Sequence, residues 1–132
     1  MRKLFRIGFL AFVFPSIAVA AVVVPRALAP AAGGLWELSR SADGRNPTRM
    51  CVPSAAQLAL FEHRNGRCTP TVTSDHGSEA VINYNCSDGG FGRSQVTLIT
   101  PRTLRIDTQG ISGNLPFHYQ LHARRVGNCA VR

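Results

Sequence analysis

The sequence predicts a mainly β domain: a single curved antiparallel sheet of about six strands, open-barrel-like, crossed by one short helix and held by two disulfides. Three observations predict it. From Gly34 onward, apolar and polar residues alternate with period two in one segment after another. The connections between these segments are short and rich in Gly, Pro, Asn and Asp, so they cannot make the long crossovers that parallel strands need. Four cysteines follow an N-terminus laid out like an export signal, and an even cysteine count in an exported chain reads as a disulfide framework. The length of 132 residues suits one domain, and 45% apolar residues exclude a disordered tail.

The N-terminal segment is basic at Arg2, Lys3 and Arg6, then almost wholly apolar from Ile7 to Val24, interrupted by Pro15 and Ser16. Small residues follow. This three-part layout reads as a signal peptide over residues 1–31, with the domain running from 32 to 132. Cleavage after Ala31 is preferred, and cleavage after Ala20 is the alternative. An uncleaved anchor is the competing reading. The apolar run is at the lower limit for a span, and Pro15 near its middle weakens it. The predicted location is the bacterial periplasm or the exterior, and membrane contact occurs only through this segment if it stays uncleaved. Four of the 15 basic residues lie before position 32, so the formal charge of +8 overstates how basic the working domain is. The remaining arginines are scattered and form no basic stripe interleaved with aromatics, which argues against nucleic acid as a partner.

In the domain itself, Trp36, Leu38 and Arg40 alternate with Leu35, Glu37 and Ser39 in a first strand. Gly44, Asn46 and Pro47 mark a loop over Asp43–Thr48. Pro53 opens a helix carrying Ala55, Leu58 and Phe61 on one face, and Asn65-Gly66 stops it. Thr69–Ser74 is a strand with an edge-type Pro70. Ala80–Cys86, Gln95–Thr100 and Leu104–Gln109 continue the meander, and Gly110–Asn114 is a loop. In the last strand Phe117, Tyr119, Leu121 and Ala123 alternate with His118, Gln120, His122 and Arg124. The first of these two sets should face the core.

Cys51, Cys68, Cys86 and Cys129 allow three pairings. Sequential pairing, Cys51–Cys68 and Cys86–Cys129, is preferred because it ties the two flanks of the helix together. It closes loops of about 18 and 44 residues, contributing about 3 and 4 kcal/mol in the chain-entropy model. No C-x-x-C is present, which argues against a zinc or redox site. No cofactor is implied.

Gly34-Leu35-Trp36-Glu37 opens the domain, Cys51 and Cys68 flank the helix, Cys86 ends a strand, and Arg124-Arg125-Val126-Gly127-Asn128-Cys129 closes the chain. This set resembles the small exported bacterial proteins grouped as domain of unknown function 3617, over roughly Gly33 to Cys129. The resemblance implies a periplasmic, disulfide-bearing β domain and supplies no catalytic residues. Members often carry a Met- and Pro-rich stretch after the first strand; here that region is short, Ser41 to Met50.

Five residues are candidate contacts for a ligand or partner: Trp36, Phe91, Arg93, His118 and His122. Each has a plainer reading. The lone Trp36 reads first as core. Gly89-Gly90-Phe91-Gly92-Arg93-Ser94 has the look of a phosphate loop, but a strand follows it where such loops lead into a helix. It therefore reads as a hairpin loop. His118 and His122, four apart on a strand, are separated by about 13 Å, too far for one metal ion. They read as part of a wet row. No G-x-S-x-G elbow is present, and Glu62 and Asp88 have no paired carboxylate nearby in sequence. The leading functional reading is a non-catalytic binding or structural module that meets an envelope protein or envelope component. The alternative is a carrier holding a small apolar ligand in the concave face, and a hydrolase is third.

Overall fold

A computed structural model describes residues 12–15 and 24–130, so most of the apolar N-terminal run and the Ala20 cleavage point lie outside the described residues. The described chain forms seven strands: β1 (Gly34–Ser39), β2 (Thr48–Val52), β3 (Cys68–His76), β4 (Glu79–Cys86), β5 (Phe91–Thr100), β6 (Thr103–Ser112) and β7 (Leu115–Gly127). They make one open sheet in the order β2-β1-β7-β6-β5-β4-β3, with every pair antiparallel. The mainly β, single-sheet expectation holds, with seven strands in place of about six. The added strand is β2, which lies between Pro47 and Pro53 and pairs along β1 from Leu38↔Thr48 to Gly34↔Val52. Hairpin turns are tight. At Gly113-Asn114 both residues take positive φ, 56° and 63°, the geometry that matches the twist of two-residue hairpins. The expected loop over Gly110–Asn114 is therefore strand up to Ser112.

The helix is a 3₁₀ helix, Ala55–His63, kinked at Leu60 and capped by Ser54, whose Oγ accepts from the Ala56 N–H at 3.3 Å. Three residues per turn explain its sequence: Ala55, Leu58 and Phe61, spaced by three, fall on one face, and all are buried. It touches β2, β4, β5 and β6. A second 3₁₀ turn, Arg26–Leu28, packs against β3, β4 and β5 on the same face. Leu28 is fully buried there, and Ala27 and Ala31 are buried with it.

Trp36, Leu38, Ile82, Val96, Leu104, Ile106, Leu121 and Ala123 supply the sheet side of the core. Phe117, Tyr119, Leu121 and Ala123 share the inner face as expected, but burial grades along the strand. Leu121 and Ala123 are buried, whereas Phe117 and Tyr119 are half-buried toward the β6–β7 turn. Leu121→Ala should cost about 2–5 kcal/mol, and His118→Ala, on the outer face, less than about 0.5 kcal/mol. Denaturant melts of the two oxidised variants check this. A one-residue register error would reverse the order.

The disulfides correct the sequence-based pairing. They are Cys51–Cys129 and Cys68–Cys86. Cys68 and Cys86 are cross-strand partners at the start of the β3–β4 ladder. Cys51 sits on β2, one strand from β7, and meets the tail that follows β7. Strand order, which local spacing does not encode, decides the pairing.

Candidate functional site

The inner face carries a buried polar chain. The Ile111 carbonyl can only accept, so His63 Nε2, 3.0 Å away, carries the proton. Nδ1 then accepts from the Tyr84 hydroxyl at 2.9 Å. Further along, Ser94 and Thr108 hydroxyls meet at 2.8 Å, and Ser94 Oγ lies 2.5 Å from the Ala59 carbonyl. All four side chains are buried. Burial pushes the Tyr84 phenol up to about 12, with the Glu62 charge adding to the rise and the Thr108 hydroxyl opposing it. The phenol is therefore a donor at neutral pH. The glycines of the Gly-rich stretch serve this chain. A Cβ on Gly90 would lie 2.6 Å from His63 Nε2, and one on Gly92 would strike the Tyr84 hydroxyl. Gly92 already lies within β5, so the stretch is a hairpin start, with no helix N-terminus for a phosphate.

Beside this closed chain lies an open cleft of about 740 Å³ between the end of the 3₁₀ helix, the end of β1 and the loop before β2. Arg40, Arg45, Phe61, Glu62, Arg64 and Leu121 line it. Tyr119, one inner-face step along β7 from Leu121, donates its hydroxyl to Glu62 Oε2 at 2.5 Å. Burial raises the Tyr119 phenol far above its ordinary value, and its bond to Glu62 and that residue's charge raise it further. The Arg40 guanidinium lies over the Tyr119 ring at 4.0 Å and the Arg64 guanidinium over the Phe61 ring at 4.3 Å. The two rings meet edge to face with centroids 6.4 Å apart. Arg45 is engaged by Asp43 at 2.8 Å. Bonds from the Ser41 hydroxyl and from Arg45 hold the Asp43 carboxyl below its ordinary value.

The five sequence candidates do not converge. Trp36 is fully enclosed and donates Nε1 to the Ala32 carbonyl at 3.1 Å, so it is a core residue and not a contact. Phe91, Arg93 and His118 are outer-face neighbours near one end of the sheet, linked through the register Phe91↔Ile111, Arg93↔Gln109 and Gln109↔His118. His118 Nε2 lies 2.9 Å from Asp107. His122 is four residues along and lines a separate outer groove with Arg105 and Arg124. Sequence reasoning missed the cleft. Glu62 and Tyr119 are 57 positions apart, and only the sheet topology joins them. One local signal existed: Arg40 continues the phase of Trp36 and Leu38, so a cation stands on the core-facing side of β1.

The opening and closing motifs turn out to be one structural unit. Their strands, β1 and β7, are neighbours. Glu37 accepts from Arg49 and Arg124, with ion-pair distances of 3.0 and 3.5 Å. Arg125 donates Nε to the Gly33 carbonyl at 3.0 Å and Nη2 to Asn128 Oδ1 at 2.7 Å. Gly34, at φ 140°, leaves room for that guanidinium, which would lie 2.7 Å from a Cβ there. Cys129 then locks the tail to Cys51. An open seven-stranded disulfide sheet with its two termini clasped side by side defines the class. Residues 28–129 match the family described as "Protein of unknown function (DUF3617)", and the chain belongs to that family. No curated protein and no solved structure matches the chain.

Proposed function

We propose that the protein is a non-catalytic binding module of the bacterial periplasm or exterior, whose cleft beside the 3₁₀ helix receives an envelope protein or envelope component. The observation that carries this reading is the division of the inner face. Its centre is filled by the chain itself, with Leu28, Trp36, Leu58 and Ile106 all buried, and its end is an open, arginine-lined cleft. A carrier of apolar ligands would need that centre empty. Both ring nitrogens of the buried His63 are already bonded within the fold, to the Tyr84 hydroxyl and the Ile111 carbonyl. The two disulfides fit an oxidising compartment. No helix among the described residues is long and apolar enough to cross a membrane. Export processing, on this reading, falls after Ala20, because Pro25, Ala27, Leu28 and Ala31 are buried in the domain. Native mass spectrometry of protein released gently from its own envelope tests the proposal. A stable added mass is expected, and the bare chain in every preparation would refute it.

A further inference from the structure

We infer that the cleft recognises a carboxylate, gripped between the guanidinium groups of Arg40 and Arg64. The inference deepens the binding-module reading and rests on it. Both guanidinium ions lie over aromatic rings that themselves touch, Tyr119 and Phe61. Stacking on a ring fixes the plane of the ion through cation–π attraction and leaves its N–H edge free. Among the described residues, the Arg40 side chain has no hydrogen-bond or ion-pair partner and rests only on the Tyr119 ring. Arg64 spends a single donor, Nη1, on the Phe61 carbonyl at 2.9 Å. The Arg40 fork and the Nε–Nη2 edge of Arg64, both at the mouth of one cleft, therefore lack an acceptor among the described residues. Arg45, on the same rim, is satisfied by Asp43.

An oxyanion is the acceptor that matches a planar fork, since it takes two parallel N–H bonds. Charge then separates carboxylate from phosphate. The two unpaired arginines bring two positive charges, and Glu62 on the cleft wall returns one negative charge. The remainder balances a single charge. A phosphate monoester, carrying about −1.5 to −2 at neutral pH, would face Glu62 with charge left over. Tyr119 keeps Glu62 in place: its phenol is protonated across the neutral range and donates to Oε2. The cleft volume of about 740 Å³ accommodates a short acidic peptide as well as a small free acid. The shared chemistry is the carboxylate.

Titration of the full oxidised domain with a labelled, C-terminally amidated hexapeptide carrying a single glutamate, with acetate and inorganic phosphate as competitors, tests this. Binding is expected with Kd below about 1 mM at moderate salt. Arg40→Gln with Arg64→Gln should weaken it at least ~10-fold, whereas Arg93→Gln with Arg105→Gln, which removes equal charge from the outer face, should change it less than ~2-fold. Arg40→Lys keeps the charge but loses the fork, and should weaken binding by about 3-fold or more without disturbing the fold. Displacement by millimolar acetate assigns the site to free carboxylates, and resistance to both acetate and phosphate assigns it to a peptide; either supports the inference. It is overturned if the single-glutamate peptide does not bind, if the outer-face pair weakens binding as much as the cleft pair, or if phosphate competes better than acetate. An envelope complex that survives when the titration fails would sink the carboxylate assignment alone and leave the binding-module reading standing.

Discussion

Replacing Cys51 and Cys129 together by serine should cost more stability than replacing Cys68 and Cys86 together. The first bridge joins residues 78 apart and the second joins residues 18 apart. In the chain-entropy picture the longer loop is worth about 4.5 kcal/mol and the shorter about 3 kcal/mol. The native contexts point the same way. Cys68 and Cys86 are held together by the β3–β4 ladder even without the bond. Cys51 lies on a five-residue edge strand and Cys129 on a tail beyond the sheet, so no strand pairing holds the two together directly. A small domain has only about 5–15 kcal/mol in total, so loss of the first bridge should remove a large fraction of it. Urea melts of the two double variants give the order directly. A larger loss from the Cys68/Cys86 variant would show that the termini are clasped mainly by the Glu37 and Arg125 contacts. Peptide mapping without reductant should recover Cys51 linked to Cys129.

What the sequence revealed and what it hid follow from the range of the interactions involved. Strands β4 to β7 are legible in their central parts, Ala80–Cys86, Gln95–Thr100, Leu104–Gln109 and Phe117–Arg124, because period two is a property of the strand alone; the first residues of β5 and the last of β6 are Gly-containing and read as loop. β2 offers only Thr48–Val52, framed by prolines that read as loop, and it becomes a strand because β1 provides a partner. The 3₁₀ character of Ala55–His63 is visible in retrospect as a spacing of three where an α-helix would use three and four. The pairing of Cys51 with Cys129 requires knowing that β1 is flanked by β2 and β7. The cleft is hidden for the same reason. Arg40, Glu62, Arg64 and Tyr119 come from three elements, and each looks ordinary where it stands. The two family motifs, by contrast, were readable as motifs but not as structure, because their residues act on one another across the β1–β7 boundary.

A chain beginning at Ala32 should be far less stable than one beginning at Ala21, by about 5 kcal/mol or more. Among the described residues that differ, Pro25, Ala27, Leu28 and Ala31 are buried. Leu28 is fully buried, Ala27 and Ala31 are buried beside it, and truncating one buried leucine to alanine alone costs about 2–5 kcal/mol. The turn is also pinned from the sheet. Asp75 on β3 accepts from the backbone N–H groups of Arg26 and Ala27, each at 2.8 Å. These bonds, Ala27 foremost and then Arg26, hold the Asp75 carboxyl below its ordinary value of 3.8, with the Arg26 charge adding to the effect. A carboxyl depressed in the folded state stabilises the fold above its unfolded pKa, and that contribution is lost as pH falls through the folded value. The longer chain should therefore lose stability below about pH 4 in a step that Asp75→Asn abolishes and that the shorter chain lacks. Thermal melts should separate the two chains by some 20 °C or more, since each kcal/mol shifts a domain of this size by about 4–8 °C. On the export reading, N-terminal sequencing of the mature protein should begin at Ala21 and retain Leu28. Melting temperatures within about 5 °C of each other would mean that residues 25–31 add little to the fold, and the case for processing after Ala20 would lose its support.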